Sequence, residues 1–173
     1  MRPSTERLSS ATFSPWIPLN RIQWVANVGL AVSLSSGASL TYSVEHVFDD
    51  IFMIQTKFTI SRTTTVATVT YVNHGLSVGD WIQVTNAGAP MDGTFSVASV
   101  VDANNFTYTV LNSGAAANSN NATLQMGRVF PHSVLAAKTT SADSNYAFPA
   151  TAVRLRLSVY SSGFADLTVL QGN

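Results

Sequence analysis

The 173-residue sequence predicts an all-β protein, a jelly-roll-like β-sandwich with a small inserted β-domain. Three observations carry this. Helical periodicity is nearly absent, its nearest approach being a short turn at Val134 to Lys138. Apolar and polar residues alternate with a period of two in several runs, as strands with one wet face require. The runs are cut by turn chemistry, most densely from Val72 to Val110, VNHGLSVGDWIQVTNAGAPMDGTFSVASVVDANNFTYTV.

The N-terminus, MRPSTERLSS, lacks the apolar core of a signal peptide, and its Arg, Ser, Thr and Pro content predicts a flexible or docking arm over residues 1–10. Trp16 follows, between Pro15 and Pro18, in a segment too proline-rich for a central strand. An extended segment with a bulky aromatic suits docking on a neighbour, or a lid on its own domain.

Val25 to Val32 and Leu40 to Phe48 flank Ser35-Ser36-Gly37 and predict a hairpin. In its second strand Leu40, Tyr42, Val44 and Phe48 fall on one face, and Thr41, Ser43 and Glu45 on the other. Near the C-terminus Val153, Leu155, Leu157 and Val159 are expected inward, with Arg154, Arg156 and Ser158 outward. Ser161-Ser162-Gly163 joins that strand to Ala165–Leu170 as a second hairpin. A lone hairpin is marginal in water, so the two are read as halves of one sandwich of about 7–9 strands. That sandwich is expected over 11–61 plus 124–173, interrupted by a module over 62–123.

Within the module, Gly75, Gly79 and Gly93 supply turns, and Asp92-Gly93 is a favoured pair for a two-residue hairpin. Trp81, Ile82 and Val84, then Phe95 and Val97, then Phe106 and Tyr108 suit a pleated, half-buried surface. Arg62 to Thr65 marks the way in, and LNSGAAANSNNA (111–122) reads as the connector leading out.

Composition narrows the function. Charged residues make up 10% of the chain, against roughly 25% in ordinary soluble chains. Nine basic and nine acidic residues give zero formal net charge. The basic surplus of a nucleic-acid binder is missing, so no nucleic-acid partner is expected. No apolar run approaches the ~20 residues needed to cross a bilayer, so no membrane partner is expected. The absence of cysteine rules out disulfides, thiolate catalysis and Cys-based zinc sites. A polar but weakly charged surface suits a subunit of a large assembly.

Reactive constellations are equally sparse. His74 sits in an Asn-His-Gly turn, His132 follows Pro131, and His46 and Glu45 are adjacent on a strand and so face opposite ways. Asp49 and Asp50 lack the alternating spacing of a calcium loop. There is no Gly-x-Ser-x-Gly elbow, no phosphate-cradling glycine loop and no nominable carboxylate pair for glycoside hydrolysis. The expectation is a non-enzyme with no catalytic residue, no cofactor and no metal. Trp16, Pro18, Trp24, Arg154 and Arg156 are the candidates for partner docking, the arginines through acidic groups on a neighbour.

The stretch "HGLxxGD … DGTFxV … NxFTYTV" resembles a cassette of tailed-bacteriophage virion proteins. PWIP with VGLAVSLSSGASLTYSVEHVFDD in front, and PATAVRLRLSVYSSGFADLTVLQG behind, resemble phage head or tail structural proteins of sandwich type. These are strand-and-turn motifs that encode shape, not chemistry. The resemblance implies a virion structural protein, made in the host cytoplasm. The first expectation is a decoration or cement protein on the outer surface of the head, where it binds and stabilises the major capsid protein lattice. By analogy with decoration on local three-fold axes it would be a homo-oligomer, a trimer. A tail, neck or baseplate component bound to neighbouring virion subunits is the alternative. A host glycan- or receptor-binding module is a third, and would need Trp81, Phe95, Phe106 and Tyr108 exposed.

Overall fold

A computed structural model describes residues 3–20, 28–51, 58–111 and 117–171. These residues contain sixteen strands and no helix, hence no helix long and apolar enough to cross a membrane. In chain order the strands are β1 (Ser4–Leu8), β2 (Ile17–Pro18), β3 (Val28–Leu34), β4 (Ser39–Val47), β5 (Thr59–Thr63) and β6 (Val66–Thr70). There follow β7 (Trp81–Thr85), β8 (Gly93–Ser96), β9 (Ser99–Asp102), β10 (Asn105–Thr109) and β11 (Ala117–Ser119). The last five are β12 (Thr123–Gly127), β13 (Phe130–Pro131), β14 (Ala142–Tyr146), β15 (Ala152–Ser162) and β16 (Ala165–Gln171). The chain divides into two units, Met1–Phe48 with Phe130–Asn173, and Asp49–Val129.

The first unit is a β-sandwich. One antiparallel sheet has the order β1-β16-β3-β14 and the other β13-β4-β15-β2. From β1 to β4, and again from β13 to β16, each link passes from one sheet to the other. Only β4 and β13, the strands flanking the second unit, are sequence-ordered neighbours within a sheet. This alternation of eight strands is a jelly-roll-like order. Leu30, Val32 and Val169 from one sheet meet Tyr42, Val44 and Leu155 from the other in a single buried cluster.

The strand positions expected near both ends are present, but their pairing differs. The structure pairs β3 with β16 and β4 with β15, so neither expected hairpin forms. Ser35-Ser36-Gly37 and Gly163 lie instead in arches that carry the chain between sheets. An alternating strand shows the same apolar face whether its neighbour in sequence lies beside it or across the core, so periodicity does not separate the two cases. The arches dock on each other. Ser35 N donates to Phe164 O at 3.0 Å, and Phe164 N donates to Ser35 Oγ at 3.0 Å.

Two smaller expectations also change. The register of β15 against β4 shifts between Leu157 and Val159, and this bulge turns Val159 outward, 56% exposed, where the alternation placed it inside. Residues 4–8 are not a free arm: they form β1, antiparallel to β16, and Leu8 is buried. Arg7 closes that edge by a two-point pair with Asp166 at 2.7 and 2.6 Å.

The second unit is a small barrel. Its sheets have the orders β11-β5-β6-β10-β9 and β12-β7-β8. At one corner Val97 and Ala98 carry the chain from β8 to β9 while staying bonded on both sides. Val97 N donates to Asp80 O at 2.9 Å, and Ala98 N to Thr107 O at 2.7 Å. At the other corner β11 leads into β12 through residues 120–122. The interior is filled by Ile60, Val69, Ile82, Phe106, Tyr108 and Leu124. The unit bounds lie outside the expected 62 and 123. Thr59–Thr63 pairs with Val66–Thr70 around Thr64-Thr65, and the supposed connector contributes β11. Asp92-Gly93 is not a two-residue turn; Asp92 closes a longer loop by accepting from Ala87 N and Gly88 N at 2.7 and 3.1 Å.

Candidate functional site

Glu45 and Arg154 are register partners on the outward face of β4 and β15, and Arg156 sits diagonally across. Arg154 Nε donates to Glu45 Oε2 at 2.8 Å, Arg154 Nη2 lies 2.7 Å from the same oxygen, and Arg156 Nη1 donates to Glu45 Oε1 at 3.1 Å. This face is not wet at Glu45, which is buried together with Arg154. The reason is the segment expected as a docking arm or lid. Leu157 N donates to Thr12 O, and Ser14 N to Leu155 O, at 2.9 and 2.8 Å, which lays the segment along β15. Phe13 and Trp16 then stack on the Arg154 guanidinium, 4.1 and 4.5 Å from their ring centroids. Burial pulls the Arg154 pKa down, and the Glu45 carboxylate pulls it back up.

The expected docking residues therefore separate. Arg154, only 1% exposed, is held inside its own unit and offers no guanidinium to a neighbour. Trp16 acts as a lid over it. Arg156 keeps 42% of its side chain exposed, and Pro18 is exposed on β2, where its carbonyl accepts from Gln171 Nε2 at 3.1 Å. Trp24 lies outside the described residues.

A second cluster escaped sequence reasoning. His46 falls on the core face of β4, with Tyr146 Oη 3.0 Å from its Nδ1. The rings of Phe48, Phe130 and Phe148 surround it at centroid distances of 5.1, 5.8 and 5.4 Å, and each is 40–48% exposed. Burial, helped by the charge of nearby His132, holds the His46 pKa down at about 4, while burial pushes the Tyr146 hydroxyl up. His132 Nδ1 accepts from Val134 N and Leu135 N at 3.1 and 3.2 Å, and its Nε2 lies 3.2 Å from Asn145 O. That histidine organises the Val134 to Lys138 segment, where the sequence comes nearest to a helical turn. The available sequence signal was the pair of Phe-Pro steps, Phe130-Pro131 and Phe148-Pro149.

In the barrel, Trp81, Phe106 and Tyr108 are buried, and Phe95 packs on Tyr108 with centroids 4.5 Å apart. The aromatic platform that a glycan-binding module was expected to use is thus spent on the core. His74 is structural, as its turn suggested: Nδ1 accepts from Leu76 N, and Nε2 faces Asp102 O, each at 3.0 Å. A cleft of about 420 Å³ is lined by Asp49, Asp50, His74, Leu76, Met126 and Arg128 among others. Its Asp49 carboxylate accepts from Arg128 N at 2.7 Å. Among the described residues no group of three or more His, Asp or Glu is placed to hold a metal ion.

Residues 52–128 match the family described as the beta barrel domain of bacteriophage endosialidase. The match spans nearly all of the second unit and less than half of the chain. No curated protein matches the chain. Among solved structures, the phage phi92 endosialidase aligns at 19% identity with a TM-score of 0.36, over 81% of this chain and 21% of that one. The chain thus spans about a fifth of that protein's length. The family match over residues 52–128 supports a bacteriophage protein.

Proposed function

We propose that the chain is a non-enzymatic structural protein of a tailed-bacteriophage particle, seated in the tail where the particle meets its host. The observation that carries this reading is the match of residues 52–128 to a barrel of bacteriophage endosialidase. A phage enzyme named for sialic-acid chains suits the end of the particle that meets a cell, and sharing a module with it favours the tail for this chain. Glu45 holds two arginines, and His74 and His132 organise turns, so these side chains serve the fold. The sandwich seats the chain among neighbouring virion subunits, and the barrel is the module it carries.

A head decoration protein, trimeric and bound to the major capsid protein, is the second reading. Low charge and a jelly-roll-like sandwich favour it, since both suit a subunit repeated over a lattice. Immunogold electron microscopy on purified particles, with antibody raised against this chain, separates the two. Gold at the tail supports the proposal, gold over the shell supports decoration, and unlabelled particles overturn both.

A further inference from the structure

Hydrogen-bond phase in the sheet β1-β16-β3-β14 fixes which backbone groups its two outer strands turn away from it. Ser35 N donates to Phe164 O, on the β16 side, and Leu34 N donates to Ser141 Oγ at 2.9 Å, on the β14 side. Peptide groups alternate in direction along a strand, so Gly29, Ala31 and Ser33 bond to β16, and Val28, Leu30 and Val32 to β14. Ala142, Ser144 and Tyr146 therefore spend their backbone groups on β3, while Asp143 and Asn145 turn theirs outward. Asn145 O agrees with this phase, since it meets His132 Nε2 at 3.2 Å. At the other edge Asp166, Thr168 and Leu170 bond to β3, which leaves Ala165, Leu167 and Val169 to bond Leu8, Glu6 and Ser4. Thr5 and Arg7 then point outward. Among the described residues no strand lies beyond β1 or beyond β14 in this sheet.

We propose that β1 of one copy of this chain pairs antiparallel with β14 of the next, Arg7 opposite Asp143, and so extends the sheet from copy to copy. Every pairing in the sheet is antiparallel, so β1 and β14 run in opposite directions. A neighbour set alongside in the same orientation therefore presents an antiparallel edge. Both strands alternate half-buried and exposed residues and end on a buried one. Setting Arg7 against Asp143 keeps Leu8 and Tyr146 on the core side and Thr5 and Asn145 outside, with the outward backbone groups of both strands in phase. The charges match as well. The Arg7 guanidinium stacks on Phe164, 3.9 Å from the ring centroid, and gives Nε and Nη2 to Asp166 at 2.7 and 2.6 Å. Its Nη1 is then aimed away from Asp166 and can meet a second carboxylate.

Charged residues on an edge strand ordinarily discourage pairing, and here they select the partner. A two-fold contact of β1 with another β1 about its centre sets Glu6 against Glu6, an unfavourable like-charge pair. Unlike edges join head to tail, and such a contact either closes into a ring or continues as a filament. The link is short, because His132 already meets Asn145 O and the outward groups of Asp143 carry most of it. It buries less than the ~800 Å² per partner of a stable two-body interface. Closure into a ring holds each copy at two edges and strengthens the assembly without any new kind of contact.

The test is disulfide trapping in the full chain, which has no cysteine of its own. Glu6 and Ser144 face each other across the proposed contact as a close, non-hydrogen-bonded pair. Within one copy they lie three strand spacings apart, about 14 Å, too far for a disulfide. Mild oxidation of concentrated E6C/S144C is therefore expected to give a ladder of multimers beyond the dimer on a non-reducing gel. Adding D143K should cut the ladder at least fivefold with the melting temperature unchanged. If D143K melts early, Thr5→Pro is the second variant, because it removes an N–H that the chain's own sheet does not use, and the same loss is expected. The proposal is overturned if folded E6C/S144C stays monomeric, or if the ladder survives both D143K and T5P. It is also overturned if E6C alone dimerises as fully, or if the shifted pair E6C/A142C gives as strong a ladder. The assay needs no particle, so it can fail while gold still marks the tail.

Discussion

Arg154 donates to Glu45 at 2.8 Å across β4 and β15, and both side chains are withdrawn from water beneath Phe13 and Trp16. The pair ties the N-terminal segment to the sandwich, because the rings that shield it come from that segment. A buried ion pair adds little net stability over apolar residues, but removing one member leaves an uncompensated charge. Glu45→Ala is therefore expected to destabilise the sandwich by about 3–5 kcal/mol. The double substitution E45L/R154M should recover much of that loss. Denaturant midpoints of the two variants check this; equal losses would contradict it.

Acid should weaken the same unit through His46. Folded His46 is held at about 4, against an ordinary value of 6.5. Between those values the unfolded chain takes up a proton that the folded chain refuses, so stability falls as pH drops from 6.5 toward 4. The loss is up to roughly 3 kcal/mol. Melting temperature against pH should show the decline in the parent and a flatter curve in His46→Gln.

Gly163→Ala should be strongly destabilising. Gly163 has φ +88°, and an added Cβ would meet Ala38 Cβ and Ser35 Oγ, each at 2.7 Å. Left-handed strain of about 1–2 kcal/mol adds to the separation of the two docked arches. A loss of ~3 kcal/mol or more is expected in urea unfolding. Gly37→Ala keeps the positive-φ strain, φ +71°, but has nothing within 4 Å of the new Cβ, so it should lose less.

In the barrel, Tyr108 donates its buried hydroxyl to Met91 O at 3.0 Å and so pins the loop before β8 to the interior. Tyr108→Phe should cost about 1–2 kcal/mol by leaving that carbonyl unpaired. Hydrogen exchange should quicken at Met91 N, which donates to Gly88 O in the same loop.

The class of fold was legible in the sequence because alternation and turn residues are local signals. Leu40, Tyr42 and Val44 point inward as their spacing requires, and His74 sits in the turn that Asn-His-Gly announces. Pairing was not legible. Ser35-Ser36-Gly37 supports an arch as readily as a hairpin, and only the partner at Phe164, 129 residues away, decides between them. The burial of Arg154 was hidden for the same reason: its cover, Phe13 and Trp16, comes from the far end of the chain. The phenylalanines around His46 meet from three separated segments, so no local pattern joined them.

The most direct test of the central claim is the number of copies of this chain per purified particle, by quantitative mass spectrometry against the major shell protein. The account predicts that the chain is present at a few copies per hundred shell subunits. A near-stoichiometric ratio would contradict the tail placement and move the chain to the capsid lattice, and absence from the particle would contradict the structural reading itself.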